Sequence, residues 1–335
     1  MICHSKAVRK QPPYRIDISI GAIVAIIALS LTATAGALRP GEFLWEPELS
    51  PTGPVVVVIS LPDQTLSAYR NGIRIGYSTI SSGAKGRSTP AGVFTVLEKQ
   101  VTHFSNKYNH APMPFMQRLT WEGVALHGGD LPGYPASHGC IRLPHEFAKR
   151  FYASTARGTT VIVVDEKASR PTFATQAGLL FAATDDDFSR PIQADFEWNP
   201  QRSDVGPITI LASGTDKAVY VYRNGVPIGR ATLKIKNMAE PLGGHAYTML
   251  DGFAETTSAF VPGRPAHRWM VVKTDSKSNE ATLEDLGRRV HVSAEFTEKL
   301  YDIVIPGTTI VVTDAPALPS SSSNRTILLM DTERK

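Results

Sequence analysis

The sequence predicts a mainly β protein built from two tandem β-rich domains of the same type, each with short helices. Two observations indicate this fold class. Short runs of β-branched and aromatic residues alternate with Gly, Pro and Asn turns, which is typical of β-sheet proteins. The motif at residues 69–76, Tyr-Arg-Asn-Gly-Ile-Arg-Ile-Gly, returns with two changes at residues 222–229, which indicates a duplicated unit.

The composition is that of a globular chain with room for one large or two ordinary domains. Its 335 residues are 42% hydrophobic and 20% charged. The net charge of +4 is small, and no long basic run is interleaved with aromatic residues. We therefore expect no nucleic-acid partner.

Residues 1–38 carry a signal for export. A basic segment precedes an uncharged run of 21 residues at positions 18–38. Small residues at positions 33, 35 and 37 favour a cleaved signal peptide, whereas the length of the run also suits an uncleaved inner-membrane anchor. Both alternatives place the rest of the chain in the periplasm or cell envelope.

Composition shifts divide the exported part. We predict a linker at residues 39–53, a first domain at 54–166, a second linker at 167–204, a second domain at 205–315 and a disordered tail at 316–335. In the first domain, strands are predicted at 55–60, 65–70, 73–78, 93–98 and 159–164, with a helix at 144–152. Asn71-Gly72 predicts a tight hairpin, since both residues accept positive φ.

Cys140 is the candidate nucleophile. Cys3 lies in the leader, so after export Cys140 has no partner for a disulfide, and an unpaired thiol in an oxidising compartment is a liability unless it is buried or needed. A thiol attacks as thiolate and needs a base, and His138 and His127 precede Cys140 by two and thirteen residues. Gly139 leaves space for a substrate carbonyl beside the backbone, and neighbouring main-chain N–H groups could then hold the developing oxyanion. Arg142 adds positive charge near the site. These residues predict a cysteine acyl-transfer centre.

Other interpretations of these residues have to be weighed. A lone Cys is often a small buried hydrophobe, and a lone His is often a structural hydrogen-bonding group. His127, His138 and Cys140 are also zinc-ligand types, but the sequence offers no fourth ligand at a suitable spacing. We therefore expect neither a metal nor a cofactor.

Several motifs together carry a family resemblance. These are Ser137-His-Gly-Cys-Ile-Arg142, Leu126-His-Gly128, and the ordered features of residues 55–96, including Ser81-Ser-Gly83 and Thr89-Pro-Ala-Gly-Val-Phe-Thr95. Over residues 54–165 the chain resembles the L,D-transpeptidase catalytic domain, the YkuD-like family. The spacer at residues 130–135 is shorter than in that family's pattern, which predicts a tighter outer loop.

The resemblance implies a substrate, a mechanism and a set of site residues. The implied enzyme forms a Cys140 acyl-enzyme with a peptidoglycan stem peptide and transfers it to an acceptor amine, and carbapenem-type β-lactams are the implied covalent inhibitors. We expect His127 to be the base and His138 to position the loop or hold the acyl carbonyl. The expected substrate contacts are Ser137, Arg142, Gly128 and Tyr134.

Two alternatives remain open for the function. The same centre resolved by water would be a peptidoglycan hydrolase, and a vestigial Cys140 would leave a non-catalytic wall-binding scaffold. The second domain has lost the catalytic triplet, because at an offset of 149 residues Gly287, Arg288 and Arg289 stand where His138, Gly139 and Cys140 stand in the first. We therefore expect a degenerate repeat with a structural, glycan-binding or lid role.

Overall fold

The computed structural model describes residues 38–165, 192–274 and 282–316, and these residues confirm the mainly β fold class. All but the last residue of the predicted export signal at 1–38, most of the predicted second linker and nearly all of the predicted tail lie outside the described residues. Within the described ranges, no helix is long and apolar enough to cross a membrane.

The first half contains two sheets and one helix. Its elements are β1 (Phe43–Trp45), β2 (Val55–Ser60), β3 (Thr65–Arg70), β4 (Ile73–Thr79), β5 (Gly92–Thr95), β6 (Glu98–Gln100), β7 (Met116–Arg118), β8 (Ala125–Gly128), β9 (Ile141–Leu143), α1 (His145–Ser154) and β10 (Thr160–Val164). One sheet has six strands in the order β1-β4-β3-β2-β10-β5, and the other has four in the order β6-β7-β8-β9. The pairs β2–β10 and β8–β9 are parallel.

The second half contains one large sheet of seven strands, a small sheet of two strands and two helices. Its elements are β11 (Phe196–Trp198), β12 (Ile208–Ser213), β13 (Ala218–Arg223), β14 (Val226–Thr232), β15 (Lys234–Ile235), β16 (His245–Thr257), β17 (Pro265–Lys273), α2 (Leu283–Arg289), β18 (Val290–His291), α3 (Ala294–Ile303) and β19 (Thr309–Thr313). The strand order is β11-β14-β13-β12-β19-β16-β17. The small sheet of this half has two strands, β15 and β18, whereas the small sheet of the first half has four.

Local chemistry explains the principal elements. Asn71 and Gly72 have φ of 48° and 82°, which confirms the predicted β3–β4 hairpin turn. Helix α1 begins after Pro144, carries Glu146 in its first turn, and buries Phe147, Ala148 and Phe151 on one face. This face packs into the core of the first half beside the strand that follows Cys140.

Residues 43–45, predicted as part of a linker, instead form edge strand β1 against β4. The indole of Trp45 lies edge-on to Phe147, with ring centroids 5.5 Å apart. The second half has the same arrangement, because Trp198 of β11 lies edge-on to Phe296 with centroids 5.4 Å apart. In both places, contact with the helix orders a short segment that carries little strand signal of its own.

The continuous apolar run of β2 is explained by burial on both faces. Val57 and Ile59 face the core that contains α1, whereas Val56 and Val58 belong to a second cluster. That cluster includes Leu211, Tyr220, Tyr222 and Val311 of the second half. The two large sheets therefore pack through a shared apolar interface.

Contacts across this interface are reciprocal. Thr160 Oγ1 and Thr309 Oγ1, equivalent positions at the offset of 149 residues, are 2.6 Å apart. A Cβ added to Gly158 would meet Pro207, and one added to Gly307 would meet Pro54, which is the position equivalent to Pro207. Each half therefore contributes a glycine that contacts a proline of the other half.

Candidate active site

Cys140 ends a tight turn that leads directly into β9. Ser137 Oγ accepts a hydrogen bond from Gly139 N at 3.1 Å and donates one to Cys140 O at 2.5 Å, so this buried hydroxyl closes the turn. Gly139 has φ of 110°, a conformation that side-chain-bearing residues rarely adopt. The Ser-His-Gly-Cys order therefore determines the shape of the turn.

The loop at residues 81–89 holds the turn from the other side. Ser81 and Arg142 exchange two backbone hydrogen bonds of 3.0 Å, and Ala84 N donates to Ser137 O. Thr89 Oγ1 donates to Gly139 O at 2.9 Å and accepts from Gly83 N. These bonds hold residues 81–89, which include few apolar side chains, in one conformation next to Cys140.

The Cys140 thiol is mostly buried and protonated. Its Sγ donates to the carbonyl of Gly123 at 3.4 Å. Burial raises the pKa of the Cys140 thiol above its ordinary value, and a backbone hydrogen bond from Ala125 and the nearby charges of Arg118 and Arg142 offset this only in part. Nucleophilic attack therefore requires a base.

His127 lies on β8 and is 7% exposed. Its Nδ1 is 2.9 Å from the carbonyl of Gly128, which can only accept, so Nδ1 carries the proton and Nε2 keeps its lone pair. Burial lowers the pKa of His127 to about 4, against the smaller raising effect of the Gly128 hydrogen bond. The imidazole is therefore neutral at physiological pH and can accept a proton.

His138 has a different environment. Its side chain is exposed, and its ring lies against Tyr108 with centroids 4.4 Å apart. Slight burial and the charges of Arg87 and Arg142 lower its pKa. His138 therefore stands at the rim of the site, whereas His127 lies in its wall.

A cavity of about 450 Å³ brings most of the predicted site residues together. The predicted residues that line it are Cys140, His127, His138, Ser137, Arg142 and Gly128. Gly139 does not line the cavity, and its carbonyl accepts a hydrogen bond from Thr89 Oγ1. The structure does not bring Tyr134 into the lining, since its side chain is 61% exposed and its carbonyl accepts a hydrogen bond from Ser81 Oγ.

This arrangement of thiol, imidazole and glycine turn lies within a recognised domain. Residues 54–163 match the family model of the YkuD L,D-transpeptidase catalytic domain. No curated protein sequence matches the chain.

Solved L,D-transpeptidase structures also resemble part of the chain. One from Mycobacterium smegmatis is 24% identical with a TM-score of 0.32, over 33% of this chain and 58% of that one. One from Xylanimonas cellulosilytica is 32% identical with a TM-score of 0.30, over 33% and 61%. L,D-transpeptidase 3 from Mycobacterium tuberculosis, in complex with a faropenem-derived adduct, is 26% identical with a TM-score of 0.32, over 34% and 61%. The chain spans about three fifths of the length of these structures.

The L,D-transpeptidase catalytic domain also places at its cavity three residues that the sequence did not single out: Lys107, Tyr108 and Arg118. Lys107 and Tyr108 lie on the loop at residues 102–114, which doubles back through hydrogen bonds from Met113 N to His103 O and from Ser105 N to Ala111 O. His103 lines the cavity, and the surroundings of Tyr108 depend on a fold-back that no local pattern specifies.

Metal ligation has no support in the described parts of the chain. Residues 38–165, 192–274 and 282–316 contain no group of three or more His, Cys, Asp or Glu side chains that could hold a metal ion.

Proposed function

We propose that the protein is a peptidoglycan L,D-transpeptidase whose acyl-enzyme forms on Cys140. The observation that carries this proposal is a thiol and a neutral imidazole in one cavity, inside the segment that matches the L,D-transpeptidase catalytic domain. The chemistry is an acyl transfer from a stem peptide to an acceptor amine.

In the first step, His127 Nε2 takes the proton of the Cys140 thiol, because His127 Nδ1 is already engaged by Gly128. The thiolate attacks the donor carbonyl, a thioester forms, and the terminal residue leaves with a proton from the imidazolium. The acceptor amine then attacks the thioester and gives a proton to the neutral His127, and the thiolate leaves and takes that proton back from the imidazolium.

The turn supplies a donor for the oxyanion. Gly139 N is already bonded to Ser137 Oγ, but the N–H of Cys140 has no acceptor within the described parts of the chain. We assign this N–H to the developing oxyanion. Arg118 is paired with Glu98 at 2.8 Å, and the cavity is also lined by Lys107, Arg142 and one carboxylate, Asp130. The two cations that are not paired with Glu98 favour a substrate that carries a carboxylate, as a stem peptide does.

We further propose that the second half is a degenerate copy of the catalytic domain. In its support, β11 to β14 and β19 have the strand order of β1 to β4 and β10, and both halves have a register shift in the hairpin at equivalent positions, Ala68/Tyr69 and Val221/Tyr222. Position 289, equivalent to Cys140, holds an arginine whose guanidinium donates to the carbonyls of Glu240 and Pro241. That contact is structural, and at the same offset Gly287 and Arg288 stand in the places of His138 and Gly139.

The proposed compartment is the periplasm or cell envelope. Its support is the sequence of residues 1–38, a basic segment followed by 21 uncharged residues, together with the substrate class proposed above.

The proposal is tested by incubating the purified protein with muropeptides and reading the products by mass spectrometry. Cross-linked dimers are the expected result, with Cys140→Ala as the inactive control. Trimmed monomers would instead indicate the hydrolase alternative. Unchanged substrate after incubation with correctly folded protein would contradict an enzymatic function.

A further inference from the structure

A groove of about 420 Å³ runs between the two halves, and it shares no lining residue with the Cys140 cavity. The first half contributes the turn between β7 and β8, with Trp121 and Glu122, and the segment before β10, with Arg157. The second half contributes Tyr222 and Asn224. We call this feature the inter-half groove, and it exists only because both halves are present.

Trp121 provides a flat apolar platform in this groove. Its side chain is 64% exposed, whereas the other three tryptophans, at positions 45, 198 and 269, are each only partly exposed. The turn that carries Trp121 is fixed, because Gly123 N donates to Thr120 O and Lys107 Nζ donates to Glu122 O at 2.7 Å. A fixed and exposed indole in a concave site is suited to stacking against a ligand.

The polar groups around this platform are available. The side chains of Glu122, Arg157 and Asn224 make no hydrogen bond or ion pair with any residue in the ranges that the structure describes. Together they offer acceptors, donors and an amide that does both. One acidic and one basic side chain leave the groove without a dominant charge, which favours a neutral polyhydroxylated ligand over a polyanion.

The groove adjoins the reactive sulfur. Trp121 is two residues from Gly123, so their Cα atoms are at most about 7.6 Å apart, and the Gly123 carbonyl accepts the Cys140 thiol hydrogen bond. A stem peptide of four residues spans at most about 14 Å. A sugar on Trp121 would therefore leave its attached peptide within reach of Cys140.

We propose that the inter-half groove binds the glycan strand of peptidoglycan, with an N-acetylhexosamine ring stacked on Trp121 and its hydroxyl and acetamido groups bonded by Glu122, Arg157 and Asn224. This inference rests on the proposed function and deepens it. It also gives the second half a role in placing the substrate.

The test compares binding and turnover in the full chain. Peptide-free glycan strands are titrated into the Cys140→Ala protein, with tryptophan fluorescence and calorimetry as readouts, and then into the same protein with Trp121→Ala or Asn224→Ala added. Phe253→Ala is the matched control, because Phe253 is an aromatic residue of 57% exposure outside the groove. Both groove variants should weaken binding by about tenfold or more, and the control should not.

The kinetic arm uses the protein with Cys140 intact and two donors, a sugar-free tetrapeptide and a glycan-linked stem peptide. Trp121→Ala should raise KM about tenfold for the glycan-linked donor, leave kcat unchanged, and change neither constant for the tetrapeptide. Equal glycan binding by wild type and both groove variants, or an equal loss in Phe253→Ala, would overturn the inference. Trp121-dependent glycan binding without turnover of either donor would retain the groove and reject the proposed function.

Discussion

At the residue scale, the first prediction concerns Cys140. Cys140→Ala should abolish turnover and covalent labelling by a carbapenem while leaving the melting temperature within a few degrees of wild type, because the substitution removes only one sulfur atom at a partly buried position. Intact-mass spectra after long exposure to the β-lactam measure the adduct, and circular dichroism measures the fold. An unlabelled wild-type protein, or a fully active alanine variant, would reject Cys140 as the nucleophile.

The second prediction separates the two histidines by pH. A His127 pKa of about 4 means that the base stays neutral down to that pH, so inactivation of wild type by a thiol reagent should persist through neutral pH and fall as the pH approaches about 4. The His127→Ala variant should react with the thiol reagent only at a pH above the ordinary pKa of a cysteine thiol. Burial raises the pKa of Cys140, and no base remains in the wall of the cavity to take its proton. His138→Ala should keep the wild-type profile.

This second experiment also has a reverse outcome. If the profile of His138→Ala moves and that of His127→Ala does not, the rim imidazole is the base, and His127 is a buried structural residue bonded to Gly128.

The individual site residues were predictable to different degrees. Cys140, His127, His138 and Ser137 lie close together in the sequence or carry a recognisable motif, and the cavity brings them together. Tyr108 could not be predicted in the same way, since its stacking on His138 depends on tertiary structure around a polar loop.

At the element scale, the third prediction concerns the left-handed residue of the nucleophile turn. Gly139→Ala should cost about 1–3 kcal/mol of local strain and lower kcat/KM by about 100-fold, because the turn that aims Cys140 must change. The nearest atom to an added Cβ is 3.8 Å away, so the effect is one of backbone conformation rather than steric overlap. Steady-state kinetics and thermal melts measure the two quantities.

Gly86→Ala is the matched control for this experiment. Gly86 also has a positive φ, of 84°, and open space around a Cβ, but it lies on the outer part of the loop at residues 81–89. It should lose a comparable amount of stability while keeping its activity. Equal loss of activity in both variants would mean that general destabilisation, and not the geometry of the turn, explains the effect.

Strand prediction succeeded where the signal is local. The runs of β2 and β3 and the Asn71-Gly72 turn were predicted, because β-branched residues and positive-φ residues carry their own structural preference. Strands β1 and β11 were missed, because each has three residues and is ordered by contact between its tryptophan and a helix far away in the sequence.

At the scale of the whole molecule, the fourth prediction concerns the second half, which we propose to be catalytically silent. Arg289→Cys in the Cys140→Ala background should restore no turnover, since Gly287 and Arg288 replace the histidine and glycine of the catalytic turn. It should also lower stability, because the contacts of Arg289 with the carbonyls of Glu240 and Pro241 are lost. Product analysis of the double variant against Cys140→Ala measures any recovery, and recovered turnover would contradict a catalytically silent half.

The sequence repeat predicted two similar halves but not how they meet. Every residue of β2 from Val55 to Ile59 is apolar, so the sequence does not show which side chains face which side of the sheet. The structure shows that Val56 and Val58 face the other half, whereas Val57 and Ile59 face the core of their own half. An apolar run of this kind is also what a strand buried within a single domain would show. The interface therefore had to be observed.

The last prediction follows from that interface. A fragment of residues 38–165 would expose Val56, Val58, Ile162 and Val164, which are all buried in the full chain. Burial of each such side chain is worth about 1.5–3 kcal/mol, so the fragment should aggregate or self-associate, as size-exclusion chromatography with light scattering would measure. The same fragment with Val56→Thr, Val58→Thr and Ile162→Thr keeps β-branched side chains and should be monomeric, because position 209, equivalent to Val56, is already threonine on the other side of the interface. A monomeric, folded fragment without these substitutions would show that the first half does not depend on the second for its stability.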